Sequence, residues 1–154
     1  MNKEEISKAN KLYDEGVTDE LYEFIAPFLK EEDPHAFYFY SRFSLPEWNE
    51  SGEEHDRRYV ELLTKAAEGG VAEAMYRLSS LYFTGEIVTF STETGRRYLD
   101  RARELNFGEA KLSVGINLFY GSNGYPKNVE KAFIIVAEAA RDNVDGASEV
   151  LEKM

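Results

Sequence analysis

The sequence predicts an all-α fold, a solenoid of about nine helices stacked as antiparallel pairs, and three observations lead to it. A nine-residue segment recurs along the chain, apolar residues flank each copy at the spacing of one helix face, and helix-start signals stand where that scheme needs them. The copies are 66–74, 102–110 and 139–147, offset by 36 and then 37 residues. Leu62, Tyr98 and Ile135 each sit four positions before the leading alanine, and Ala74-x-x-x-Leu78-x-x-x-Tyr82 is matched by Ala110-x-x-x-Val114-x-x-x-Leu118. Each recurring segment is therefore the turn between two helices.

Helices are expected over 3–14 and 18–29 from their apolar pattern, with Thr18 placed to cap the second and Pro27 to kink or end it. Asp33-Pro34 supplies an N-cap followed by proline in the first turn of a helix over 34–44, whose Ala36-x-x-x-Tyr40 lies 38 residues before Ala74-x-x-x-Leu78. Ser51-x-x-Glu54 is a capping box for 52–68, and Glu53 and Glu54 then face the positive end of the helix dipole. The repeat itself sets 72–84, 92–105 capped by Thr92, 109–120 and 128–141. Ala147-x-x-x-Leu151-x-x-Met154 restarts the first-helix pattern over 146–153, as a capping helix would, with Glu149 and Lys153 in water. The chain is expected to be one helical-repeat domain over 1–154. It comprises an N-terminal helical pair (1–33), a degenerate repeat (34–70), two repeats (71–107 and 108–144) and a C-terminal capping helix (145–154).

Three stretches resemble a known pattern. They are Ala72-Glu73-Ala74-Met75-Tyr76-Arg77-Leu78-x-x-Leu81-Tyr82-x-x-Gly85, Gly108-Glu109-Ala110 onward, and Gly121-Ser122-Asn123-Gly124-Tyr125-Pro126-Lys127-Asn128-Val129-Glu130-Lys131-Ala132 running on to Ala139-Ala140. This is similar to the Sel1-like repeats, relatives of the tetratricopeptide repeat, over roughly residues 34–147. The chain departs from the pattern at Gly85-Glu86-Ile87-Val88, which lacks the second loop glycine, and at Gly95, which stands where Ala132 does. The resemblance implies a right-handed superhelix whose first helices line a concave surface. On that footing Tyr38, Arg42, Tyr76, Ser80, Phe83, Leu112, Ile116, Phe119 and Tyr120 look into an apolar, aromatic groove; the alternative is that tight stacking buries part of this stripe.

A second surface is expected around Phe37-Tyr38-Phe39-Tyr40, because four consecutive helical positions cannot all face one core. With Phe39 and Trp48 beside Glu47, Glu50, Glu53 and Glu54, it would suit a basic, partly apolar partner. The alternative is an N-terminal helix packed over the aromatics with the acids merely solvated. Charge points the same way: the net charge is −11, and residues 1–56 hold 15 Asp and Glu against 5 Lys and Arg. Such a surface repels phosphate backbones and anionic lipid, so nucleic acid and membrane are not expected partners.

Chemistry finds little footing. There is no cysteine, so thiolate nucleophiles, thiolate metal sites and disulfides are excluded and a reducing cytoplasm is the expected compartment. His35 and His55 have no partner at metal spacing, and the oxygen-rich stretch 49–56 has too few ligands at calcium-loop spacing. No phosphate loop, dinucleotide fingerprint or nucleophile motif occurs, so no cofactor, metal or catalytic residue is expected. The N-terminus has no basic start and apolar run, and the protein is expected to be soluble and unprocessed. The function expected is non-enzymatic binding of another protein. In its sharpest form this is a bacterial immunity protein neutralising a basic toxin; the alternatives are a cytoplasmic adaptor for several clients, or a homodimer.

Overall fold

The computed structural model describes residues 1–154 and is all-α. Its nine helices are α1 (Lys3–Asp14), α2 (Thr18–Lys30), α3 (Pro34–Ser41), α4 (Gly52–Glu68), α5 (Ala72–Thr84), α6 (Thr92–Glu104), α7 (Gly108–Tyr120), α8 (Val129–Arg141) and α9 (Ala147–Lys153), with one 3₁₀ turn at Pro46–Trp48. No helix is long and apolar enough to cross a membrane. The chain divides into two compact units, Met1–Ala74 and Met75–Met154, with the division inside α5. Within each unit, helices consecutive in sequence pack on one another: α1 to α4 in the first, α6 to α9 in the second.

One turn geometry builds the hairpins. The amide of Val71 donates to the carbonyl of Ala66 at 3.0 Å, Phe107 to Ala102 at 3.1 Å and Val144 to Ala139 at 3.0 Å, and an inner bond closes each turn. This pairing of a long and a short bond needs a left-handed residue just after the helix, supplied by Gly70 (φ 98°), Asn106 (φ 61°) and Asn143 (φ 57°). The same closure recurs after α1, where Val17 donates to Leu12 and Gly16 is left-handed, and after α2, where Asp33 donates to Phe28 and Glu32 has φ 56°. The first hairpin thus ends its helices as the repeats do. Lys111 Nζ donates to Asn106 Oδ1 at 3.0 Å and Asp142 Oδ2 at 2.9 Å, tying two of these turns together in the second unit.

Capping sets the other ends. Asn2 and Glu5 form a reciprocal box at α1, the Ser51 side chain accepts from the Glu54 amide at 3.1 Å, and Asn128 accepts from Lys131 at 3.0 Å. Two expected caps fall one residue off. Ser91, not Thr92, accepts from the Thr94 amide, and Val17 holds the cap position of α2 without a side-chain bond, leaving Thr18 as its first helical residue. Pro27 does not end α2, which continues to Lys30. The helix expected over 34–44 stops at Ser41. Phe43 and Leu45 are buried on either side of exposed Ser44, an extended alternation, and Pro46 disfavours helical backbone at Leu45.

Asp33 joins three features. Its carboxylate accepts from the His35 amide at 2.8 Å and the Ala36 amide at 3.3 Å, and it pairs with the Met1 ammonium group. Partial burial pushes this carboxyl up, but the ammonium and the two amides outweigh it and hold its pKa below the ordinary carboxylate value. Because the folded value is lowered, the stability this group contributes is complete above the unfolded value of about 3.9 and is lost as pH falls through the folded one. Asp33→Ala should therefore cost about 1–2 kcal/mol at pH 7 and progressively less below pH ~4, checked by urea midpoints across that range.

Left-handed backbone at non-glycine residues is a second measurable feature. Glu32 and the β-branched Ile87 (φ 55°) both adopt it, at a cost that Asn in the sister turns largely avoids. Glu32→Gly and Ile87→Gly are each expected to raise stability by about 0.5–1 kcal/mol in denaturant titration, since strain relief exceeds the added freedom of the unfolded chain.

Candidate protein-interaction surface

Three residues of the expected groove converge. Ile116, Phe119 and Tyr120, from the last turn and a half of α7, form an apolar groove of about 190 Å³ with Val150, Lys153 and Met154 of the α9 end. Lys153 is its one charged residue. Tyr120 is 70% exposed and stands edge-on to Phe119 at 5.0 Å, and Phe119 in turn meets Phe133 of α8 edge-on at 6.2 Å. A large aromatic held by a neighbouring ring yet open to solvent loses little conformational freedom when covered.

The backbone beneath is fixed by buried polar chemistry. Asn117 Oδ1 accepts from Ser122 Oγ and Asn123 Nδ2, both at 3.0 Å, and the Asn128 amide donates to the Leu118 carbonyl at 2.7 Å. Tyr125 is buried and its hydroxyl donates to Asp100 Oδ1 at 2.6 Å; burial and that carboxylate raise its pKa far above the usual phenol value, so it stays protonated. The loop after α7 is thus pinned at both ends, and Tyr120 is presented from a rigid platform.

The remaining expected groove residues are placed differently. Tyr38 is buried in α3, and the Arg42 guanidinium stacks over Tyr13 at 3.9 Å and Tyr38 at 5.1 Å, so both are spent on packing the first unit. Tyr76 is half-buried against Phe107 at 5.5 Å, and Phe83 lies on Gly95, where an added Cβ would meet its ring at 2.6 Å. Ser80 is exposed and Leu112 half-buried. The loss of a side chain at Gly95 is thus what lets Phe83 pack within its own hairpin.

The expected acidic and aromatic patch does not form as one surface. Phe39 is 1% exposed and belongs to the core of the first unit with Leu21, Ile25 and Phe43. Trp48 is enclosed by Tyr22, Tyr40 and Phe43, with ring centroids 5.5, 5.6 and 5.9 Å away. An N-terminal helix, α2, therefore does pack over the aromatics through Tyr22. Glu50 is committed to Arg58, whose Nε and Nη2 donate to its two oxygens at 2.7 and 3.0 Å, and this pairing holds its pKa below the usual carboxylate range. Only Glu47, Glu53 and Glu54 remain exposed, and Glu53 pairs with Arg57 at 3.6 Å.

Arg58 gave no local signal in the sequence because its partners lie up to 18 residues away. Its Nη1 and Nη2 donate to the carbonyls of Tyr40 and Phe43, both at 2.8 Å, and its guanidinium lies 5.1 Å from the Tyr40 and Trp48 ring centres. This fork holds the loop between α3 and α4. Arg58→Lys, which keeps the charge but loses the fork, should destabilise by about 2–4 kcal/mol and shift the emission of the single tryptophan, Trp48, to the red. Unchanged melting and emission would remove the fork from the account.

Similarity to known proteins agrees with this architecture. The Sel1 repeat family matches residues 72–107 and 108–144. Among solved structures, the Sel1 repeat protein from Oxalobacter formigenes superposes with a TM-score of 0.71 at 24% identity, covering 84% of this chain and 96% of that one. The Helicobacter pylori cysteine rich protein B gives 0.62 at 18% identity, over 86% and 93%, although this chain has no cysteine. No curated protein sequence matches the chain. Sel1 repeats are in general protein-interaction modules.

Proposed function

Proceeding from a chain that carries two Sel1 repeats, we propose that it is a non-catalytic protein-binding module that holds an apolar segment of another protein in the groove between α7 and α9. The observation that carries this reading is the composition of the groove, five apolar or aromatic residues around Lys153, with Tyr120 open to solvent. Contiguous exposed apolar surface on a protein otherwise rich in charge is the usual mark of a binding site.

Charge distribution supports a basic partner. Residues 1–74 hold 18 acidic against 8 basic side chains, a net of −10, whereas residues 75–154 hold 11 against 10. The large apolar side chains that reach solvent, from Ile87 to Ile134, all belong to the second unit. Attraction that speeds encounter and apolar contact that slows release are thus assigned to different halves of the molecule. A one-to-one cytoplasmic inhibitor of a basic protein, of the kind a bacterial immunity protein is, uses both. An adaptor for several clients is the second reading, favoured by the scarcity of polar groups in the groove, which leaves little to select one apolar segment over another.

The test is affinity capture from a native lysate with the wild type and with Tyr120→Ala combined with Ile116→Ser. The pair should weaken the captured complex at least tenfold while leaving helicity and melting nearly unchanged, and raising salt should loosen the wild-type complex. Full retention of the partner by the double variant would exclude the groove.

A further inference from the structure

The turn inside the loop after α7 is built from a chemically labile pair. Of the eight asparagines in the chain only Asn123 is followed by glycine, so the pair is unique here. Asn123 (φ 52°) and Gly124 (φ 78°) are both left-handed, and the Tyr125 amide donates across them to the Ser122 carbonyl at 3.0 Å. That is the tight turn for which Asn-Gly is the favoured pair, so the backbone itself asks for it. The liability comes with the glycine. Having no Cβ, Gly124 leaves its backbone nitrogen unshielded, and that nitrogen can approach the side-chain carbonyl carbon of the residue before it. Both residues are exposed to water. In the loop after α5, Ile87 (φ 55°) reaches left-handed backbone with no side-chain amide, so that loop closes without the liability.

We infer that Asn123 is a site of spontaneous deamidation and that the folded loop is the latch that governs it. In the reaction the Gly124 nitrogen bonds to Asn123 Cγ, the Cγ–Nδ2 bond breaks, and the proton of that nitrogen leaves with the amide as ammonia, giving a five-membered succinimide. Water then adds to either ring carbonyl and breaks its bond to nitrogen. One opening leaves aspartate; the other leaves isoaspartate, with the main chain rerouted through the side chain. The first step needs the Asn123 side chain to fold back over the Gly124 nitrogen, and three bonds oppose it. Asn123 Nδ2 donates to Asn117 Oδ1 at 3.0 Å, which aims the amide at α7, and Arg96 Nη1 donates to the Gly124 carbonyl at 2.9 Å. The third is the turn bond from Tyr125, whose ring is buried. Reaction therefore proceeds from a locally opened loop, and the population of that open state sets its rate. The two products then part ways. Aspartate tolerates left-handed backbone and can be met by a turned Asn117 amide, whereas isoaspartate adds a methylene to the main chain, so the Tyr125 amide loses its register with Ser122 and the loop stays open.

Timed incubation of the full chain at mildly alkaline pH, folded and in denaturing urea, tests this when the tryptic peptide 112–127 is mapped by tandem mass spectrometry. Asn123 is expected to convert before any other asparagine, at least about tenfold more slowly folded than unfolded, with isoaspartate among the products. In urea too dilute to unfold the chain, the rate should rise in step with hydrogen exchange of the Tyr125 amide, and the separated isoaspartate form should have lost the protection of that amide. Asn117→Ala should speed conversion in the folded chain; if that variant melts early, the Tyr125 exchange correlation makes the same test in the wild type. Asn123→Gln, whose attack would close a slower six-membered ring, should stay unconverted at this position. Equal rates in the folded and unfolded chain, or a rate indifferent to opening at Tyr125, would overturn the latch. First conversion at another asparagine, or none at Asn123, would overturn the site. Because the readouts are mass and exchange rather than capture of a partner, the inference stands or falls apart from the groove.

Discussion

The structure depends on one backbone device, the left-handed residue that closes each helical hairpin. A single helix pair cannot bury its apolar faces, so every pair relies on its neighbours, and the register between them is set by where one helix stops and the next begins. The paired turn bonds after α1, α2, α4, α6 and α8 make that stop reproducible to the residue. Because the stop is fixed, the alanines at the start of each turn and the apolar residues one helical turn before them arrive at the same depth in each repeat, which is what Ala66, Ala102 and Ala139 at full burial express. Glycine or asparagine serves at four of the five turns, and the exception, Glu32, precedes the residue that caps α3 and pairs with the chain's amino group.

This repetition explains why so much of the fold was legible. A turn that needs glycine or asparagine leaves a mark in the sequence, and alanines at close helix contacts leave another, so nine helices and most of their ends could be placed from spacing alone. The failures lie where a distant side chain overrides a local rule. Nothing near residue 42 says that the chain should turn extended, but Phe43 and Leu45 find burial against α2 and Arg58 supplies donors for the freed carbonyls. The burial of Tyr38 and Phe39 and the commitment of Glu50 follow from the same long-range packing, which no periodicity in 34–56 encodes.

The groove was legible in part for a related reason. The stripe on the first helices is a real feature of the sequence, but whether it is open depends on what lies above it. Tyr76 and Phe83 are occupied by Phe107 and by packing on Gly95, while Ile116, Phe119 and Tyr120 line a groove with residues of the α9 end. The same stripe thus has a packing role in one repeat and a surface role in the next.

The central claim is that the open end of α7 and the short α9 form the site that holds another protein. Hydrogen exchange of the chain, alone and with a captured partner bound, tests it most directly, because it reports protection along the whole backbone without altering a residue. The account predicts slowed exchange of amides in the last turn of α7 and through α9. Protection confined to α1 through α4, with α7 and α9 exchanging as in the free chain, would contradict it and move binding to the acidic unit.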